Sequence, residues 1–135
     1  MPTAKRESIL AALATRTGAS RAPFPVIAAG SATYTLLADG EESVREYEYD
    51  DAIVTMAIAV HRATPATTDA SHATDASALL AAIISETLGT DLTLGGLCDS
   101  IRYDSGITDY PEGSALVAAT ATFSVDYRHV GGSPY

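Results

Sequence analysis

The chain is short of basic charge and of reactive side chains, and each shortage closes a class of function. Eight lysine and arginine residues stand against seventeen aspartate and glutamate, giving a net charge of -9 over 135 residues. Such a balance disfavours nonspecific attraction to nucleic acid phosphates or anionic lipid. A single cysteine, Cys98, excludes an intramolecular disulfide framework and fits a reducing compartment. No apolar run approaches the roughly 20 residues that a membrane span requires. The opening MPTAKRES leads into an amphipathic helix pattern, not into a charged and then apolar leader. The expectation is a soluble protein, cytoplasmic when made, without a membrane partner. Asparagine and glutamine are absent and Lys5 is the one lysine, a bias that fits a GC-rich genome.

Motifs with mechanical content are missing as well. There is no Gly-x-Ser-x-Gly elbow, Walker loop, Gly-x-Gly-x-x-Gly or Cys-x-x-Cys. His72 lies between Asp69 and Asp75 at spacings of three, which can be drawn as a metal site. Asp and Ser serve turns and helix starts so readily that capping is the better reading of this connector. His61 and His129 stand near the ends of two strands as candidate neighbours across a sheet, and solvated strand-end histidines explain them without catalysis. Cys98 has no basic neighbour in sequence to lower its pKa, so it reads as a small buried side chain. Gly95-Gly96 reads as a backbone bend, because no helix with a basic residue follows it as an anion site needs. No catalytic residue, metal or cofactor is expected.

What the chain does have is the stretch Ser43–Arg62, SVREYEYDDAIVTMAIAVHR. Tyr47, Tyr49 and Asp51 alternate with Glu46, Glu48 and Asp50, and Ala52, Val54, Met56, Ile58 and Val60 then share one face of the same period. A typical strand has about 5–6 residues, so the pattern predicts an unusually long one. Its apolar half suits a core, and its tyrosine-and-acid half carries too much charge for one. Three readings of Glu46–Asp51 stand side by side: a strand edge guarded by charge, a divalent-cation site, or an acidic surface at an interface. Tyr47 and Tyr49 favour the interface, since tyrosine supplies contact area with few rotors. The predicted partners of Glu46, Tyr47, Glu48, Tyr49 and Asp50 are arginines of a neighbouring subunit, with Arg45, Arg102 and Arg128 as candidates.

The length predicts one domain over residues 1–135, with residues 130–135 as a loose tail. Ile9, Leu10 and Leu13 predict a helix over Lys5–Arg16 stopped by Gly18. Phe24-Pro25-Val26-Ile27-Ala28-Ala29-Gly30 is a short apolar run, and Ser31–Leu37 continues with β-formers up to a hairpin signal at Asp39-Gly40. Leu79, Leu80, Ile83, Ile84 and Leu88 predict a second helix over Asp75–Leu88, after a connector rich in capping residues. Leu92, Leu94 and Leu97 are expected to anchor a loop inward, Ile101–Asp104 forms a strand, and Ser105–Gly113 is a turn-rich excursion. Ser114–His129 is a second long strand, with Val117, Ala119, Ala121, Phe123, Val125 and Tyr127 on one face.

The order of these parts, ESILAALATR, FPVIAAGSATYT, EYEYDDAIVTMAIAVHR, SALLAAIISETLG, IRYD and ALVAATATFSVDYRH, resembles the tail terminator proteins of long-tailed phages, the minor tail protein U family. The resemblance covers Glu7–His129, and a gene transfer agent, which is a phage-like particle, would use the same part. In one place the chain departs from the pattern: Gly18–Pro23 is a short link where the family usually carries a further strand and a longer loop. The resemblance implies an α+β subunit, two α-helices packed on one face of a mainly antiparallel β-sheet with long protruding strands, assembling into a homohexameric ring. Such a ring sits at the head-proximal end of the tail in the virion. It stacks on the major tail tube protein, stops tube polymerisation and offers its other face to head-completion or neck proteins. DNA passes only transiently through the lumen, and an acidic lumen would let it slide. Contacts to tube and neck are expected at loop tips, at Asp39, Gly40, Glu41 and Glu42 and at Asp109, Tyr110, Pro111 and Glu112. Two other readings remain: another neck or tail-completion ring protein, and a small acidic α+β enzyme or ligand-binding domain with a site near Asp99, Arg102, Tyr103 and Asp104.

Overall fold

The computed structural model describes residues 4–21, 33–68, 71–110, 115–130 and 132–133. The run from Phe24 to Gly30, with Asp69, Pro111 and Glu112, lies outside them. In chain order the described elements are α1 (Lys5–Thr17), β1 (Ser20–Arg21), β2 (Tyr34–Glu48), β3 (Asp51–Pro65), α2 (His72–Leu88), β4 (Ser100–Asp109) and β5 (Leu116–Val130). The architecture is α+β, one five-stranded sheet in the order β1-β2-β3-β5-β4. Every pairing is antiparallel except the short parallel contact of β1 with Leu36 and Leu37.

Local chemistry explains both helices. Ile9, Leu10 and Leu13 fall on one face of α1 and are fully buried, Glu7 and Arg16 match the helix dipole, and Gly18 takes φ 70° to close the end. Helix α2 begins at His72, three residues before the sequence pattern predicts, because polar groups of the connector organise its first turn. Asp75 accepts from the Thr67 amide at 2.7 Å and the Ser71 hydroxyl at 2.8 Å, which hold its carboxyl below the ordinary range. At the other end Arg16 reaches from α1 to donate to the carbonyls of Thr87, Leu88 and Asp91 at 3.2, 3.2 and 2.8 Å. One arginine thus satisfies the orphan carbonyls of the second helix and ties the helices together.

The core lies between the helices and one face of the sheet. Ala52, Val54, Met56, Ile58 and Val60 of β3 and Ala119, Ala121, Phe123, Val125 and Tyr127 of β5 join Ile9, Leu10, Leu13 and Ile83 in one buried cluster. Leu79, Leu80, Ile84 and Leu88 pack against it half-buried. Arg62 enters this side too, donating bidentately to Glu86 at 2.6 and 3.0 Å and to the Thr17 carbonyl at 3.0 Å.

Several expectations are corrected here. Residues 43–62 are not one strand: β2 runs straight through Asp39-Gly40, and the chain reverses at Tyr49-Asp50 between the paired Glu48 and Asp51. Gly40 serves a close approach at an irregularity. A Cβ there would stand 3.3 Å from the Ala57 Cβ, and the register slips between Asp39 and Glu42. The actual turn uses no glycine, and Tyr49 itself takes φ 56°. Residues 105–109 continue β4 instead of forming an excursion, paired with Thr122 to Ala118 of β5 after a bulge between Tyr103 and Ser105. His61 stands opposite Thr120 and His129 opposite Ala52, far apart along β3 and β5, so they are not neighbours. Leu92 is exposed while Leu94 and Leu97 face inward. Asp91 accepts from Thr93 at 2.9 and 2.6 Å and from the Gly95 amide at 2.8 Å, and this turn directs Leu94 to the core. Those three donors hold the Asp91 carboxyl at about 2. At the C-terminal end Val130 completes β5, and the Ser133 amide donates to its carbonyl at 2.8 Å.

Candidate functional site

The tyrosine-and-acid run forms the outer margin of the sheet. From Asp39 to Asp50 every residue is exposed, on both faces of β2. Val44 is 48% exposed, Tyr47 66% and Tyr49, at the turn, 98%. Exposure follows from position: β1 covers only Leu36 and Leu37 of this edge, and α1 touches β2 only lightly. The acids Glu41, Glu46, Glu48 and Asp50 surround these aromatics, with Arg45 the one base in the run.

The three candidate arginines are engaged within the chain. Arg45 and Arg102 both reach Asp126, at 3.4 and 3.2 Å, and Arg128 bridges Glu48 at 3.3 Å and Asp99 at 3.4 Å. Sequence reasoning missed Asp126 as the hub of this cluster. It lies on the helix-free face of β5, only 7% exposed, and also accepts from Thr55 at 2.6 Å and Ser100 at 3.2 Å. Burial opposes its charge, but the Thr55 hydroxyl and the Arg102 guanidinium outweigh that and lower its pKa. The one available signal was an acid within an otherwise small-residue face of a long alternating strand.

Asp39, Gly40 and Glu42 are not a loop tip. Arg6 of α1 donates to Asp39 at 2.6 Å, to the Gly40 carbonyl at 2.9 Å and to Glu42 at 3.4 Å, and the buried Tyr127 hydroxyl donates to Glu42. These contacts fasten the irregular middle of β2 beneath the start of α1; the Arg6 hydrogen bond holds the Asp39 carboxyl below the usual range. Of this group, Glu41 remains an exposed strand residue. Asp109 ends β4 and Tyr110 follows it at 45% exposure, and the rest of this second candidate tip, Pro111 and Glu112, lies outside the described residues.

Of the residues of the enzyme reading, Arg102 and Asp104 lie on the helix-free face and Tyr103 does not join them. Arg102 pairs with Asp126 on the helix-free face, Asp104 accepts from Ser124, and Tyr103 turns to the helix side with its ring 5.7 Å from that of Phe123. Strand alternation therefore separates Arg102 from Tyr103. Cys98 is buried, and burial pushes its thiol up to about 11, away from nucleophilic chemistry at neutral pH. Among the described residues no three His, Cys, Asp or Glu side chains are grouped to hold a metal ion, and no helix is long and apolar enough to cross a membrane.

No family model matches the chain, and no curated protein is similar to it at a significant level. Among solved structures, it is similar to a chain of the virion of a native gene transfer agent particle, at 14% identity over 93% of this chain and 92% of that one, with a TM-score of 0.43.

Proposed function

We propose that this protein is a structural virion component, a tail terminator that forms a ring on the head-proximal end of a tail tube, stops tube growth and offers a docking surface to neck proteins. The observation that carries the reading is the margin of β2: a strand exposed on both faces, bearing Val44 and Tyr47 among acids and ending in a turn at the exposed Tyr49, on a fold whose core is complete without them. Exposed aromatics on a rigid strand are costly to leave in water and suit a protein surface better than a small ligand. The order of helices and long strands agrees with the sequence resemblance on which the role rests. In that role the ring's partners are other copies of the chain, the major tube protein and the neck. DNA crosses a lumen whose acidic surroundings do not retain it.

Deletion of the gene tests this. Particles assembled without the protein should show tubes that overrun their normal length and do not join filled heads in electron micrographs. Tails of normal length attached to heads would overturn the assignment.

A further inference from the structure

We infer that copies of this chain join edge to edge, with β4 of one copy pairing antiparallel to residues 43–48 of β2 in the next, so that the sheet continues from subunit to subunit. The inference rests on the ring reading above and specifies how the ring is made. Among the described residues no strand lies outside β4 and none pairs with the outer side of β2 beyond Leu37; past the contacts of Arg6 with Asp39, Gly40 and Glu42, residues 43–48 are left open. These two margins are on opposite sides of the sheet, so joining them is a head-to-tail contact, the kind that closes into rings.

Strand direction fits. β2, β3, β5 and β4 alternate in direction, and their number is even. Rotation about an axis along the strands therefore brings β2 of the next copy antiparallel to β4, and the alternation continues across the boundary. Length allows it, since the open residues 43–48 fit within the 10 residues of β4.

Charge and irregularity then select a register. Glu46 is opposite Ile53 and Arg102 opposite Ser124, which places both on the helix-free face. Within one subunit β3 and β5 keep them apart; across the boundary they come together. Arg102 shares Asp126 with Arg45 and its side chain is half exposed, so its guanidinium keeps donors for a neighbour's acid. Setting Arg102 opposite Glu46 brings the bulge between Tyr103 and Ser105 level with the bulge between Val44 and Glu46. The inserted residues of these bulges, Asp104 and Arg45, have opposite charge, and Ser105 falls opposite Ser43. An edge so charged and so bulged resists indiscriminate pairing and admits a matched partner.

The test uses the full chain with Ser43→Cys and Ser105→Cys together, both at exposed positions. Directly opposed strand residues are close enough for a disulfide. Mild oxidation should give a ladder of covalent multimers ending at the ring size that native mass spectrometry records for the unmodified protein, while each single variant should give no ladder. An intact ring without the ladder would overturn the edge pairing and leave the ring reading standing. A dimer from Ser105→Cys alone would point to β4 meeting β4 and would equally overturn it. An unmodified protein that stays monomeric would remove both the ring and this inference. As a second measurement, Glu46→Arg should weaken assembly tenfold or more, and adding Arg102→Glu should restore it; failure of the pair to recover while each variant stays folded would contradict the register.

Discussion

Two strands of one sheet, β2 and β5, have the same length of 15 residues and opposite lives. In β5 alternate side chains from Val117 to Tyr127 are buried beneath the helices, and the others are small or polar. In β2 only Leu36 and Leu37 are buried, and the second half is exposed on both faces. The ladder of β2 to β3 slips register twice and that of β5 to β3 does not, but both strands are paired along nearly their whole length, so pairing alone does not account for the difference in burial. What covers each strand does: β5 lies between two strands and under α2, while β2 is an edge that the helices leave open. The comparison separates residues that hold the fold together from residues that the fold leaves in solvent.

The sharpest way to break this division is to damage each half in turn. Ile83 of α2 is fully buried against the sheet, and Ile83→Ala should cost about 2–5 kcal/mol through lost transfer energy and a residual cavity. Urea denaturation of the monomeric form reads it, and a loss under about 0.5 kcal/mol would show that α2 does not bear on the core as described.

Asp126 tests the border between the halves, since it joins β5 to Arg45 on the margin. Asp126→Asn should cost about 1–3 kcal/mol, because Thr55, Ser100 and two guanidiniums lose a charged acceptor. The pH dependence has a definite sign. A carboxyl lowered in the folded state stabilises the fold above the ordinary carboxylate pKa of about 4, and that contribution is lost as pH falls through the folded value. Acid titration of stability should therefore be flatter below about pH 4 in the Asn variant than in the parent. Equal slopes would mean that the carboxylate is not an energetic link.

The smallest expected effect has the opposite sign. Tyr49 holds φ 56° at 98% exposure, a backbone that costs an L-residue about 1–2 kcal/mol. Glycine removes that strain and adds entropy to the unfolded chain, so Tyr49→Gly should leave stability unchanged or raise it by up to about 1 kcal/mol. It should also weaken assembly measured by native mass spectrometry. A clear loss of stability would place Tyr49 among the residues that hold the subunit, and the comparison between the strands would fail there.

Much of the fold was legible. The inward faces of β3 and β5 and the stripes of α1 and α2 follow from periodicity alone, and Val54, Met56, Ile58, Ile83, Phe123 and Val125 are buried as the pattern predicts. The reversals were not legible. Asp39-Gly40 carries the commonest hairpin signal and passes straight through the sheet, whereas Tyr49-Asp50 carries none and makes the turn. Turn preferences amount to about 1 kcal/mol, less than a continuous ladder to β3 returns. The excursion expected over Ser105–Gly113 failed in the same way: Gly106 lies within β4, where a Cβ would crowd the Tyr103 hydroxyl and come within 2.8 Å of the Leu80 side chain, so it marks a close approach beneath α2 and not a loop. At the candidate margin the acids and tyrosines were visible in sequence, but the fates of Arg45, Arg102 and Arg128 were not.

By itself, then, the sequence determined which side chains face the core and which stretch is too charged to enter it, because both depend on local spacing and on the free energy of burying each residue type. Tertiary structure alone decided where the long run folds back, that Asp126 gathers Arg45 and Arg102, and that β4 and the part of β2 beyond its short pairing with β1 lie at the margins of the sheet. Those depend on which strands lie side by side, and groups as far apart in sequence as Arg45 and Asp126 meet only when β3 has paired with both neighbours.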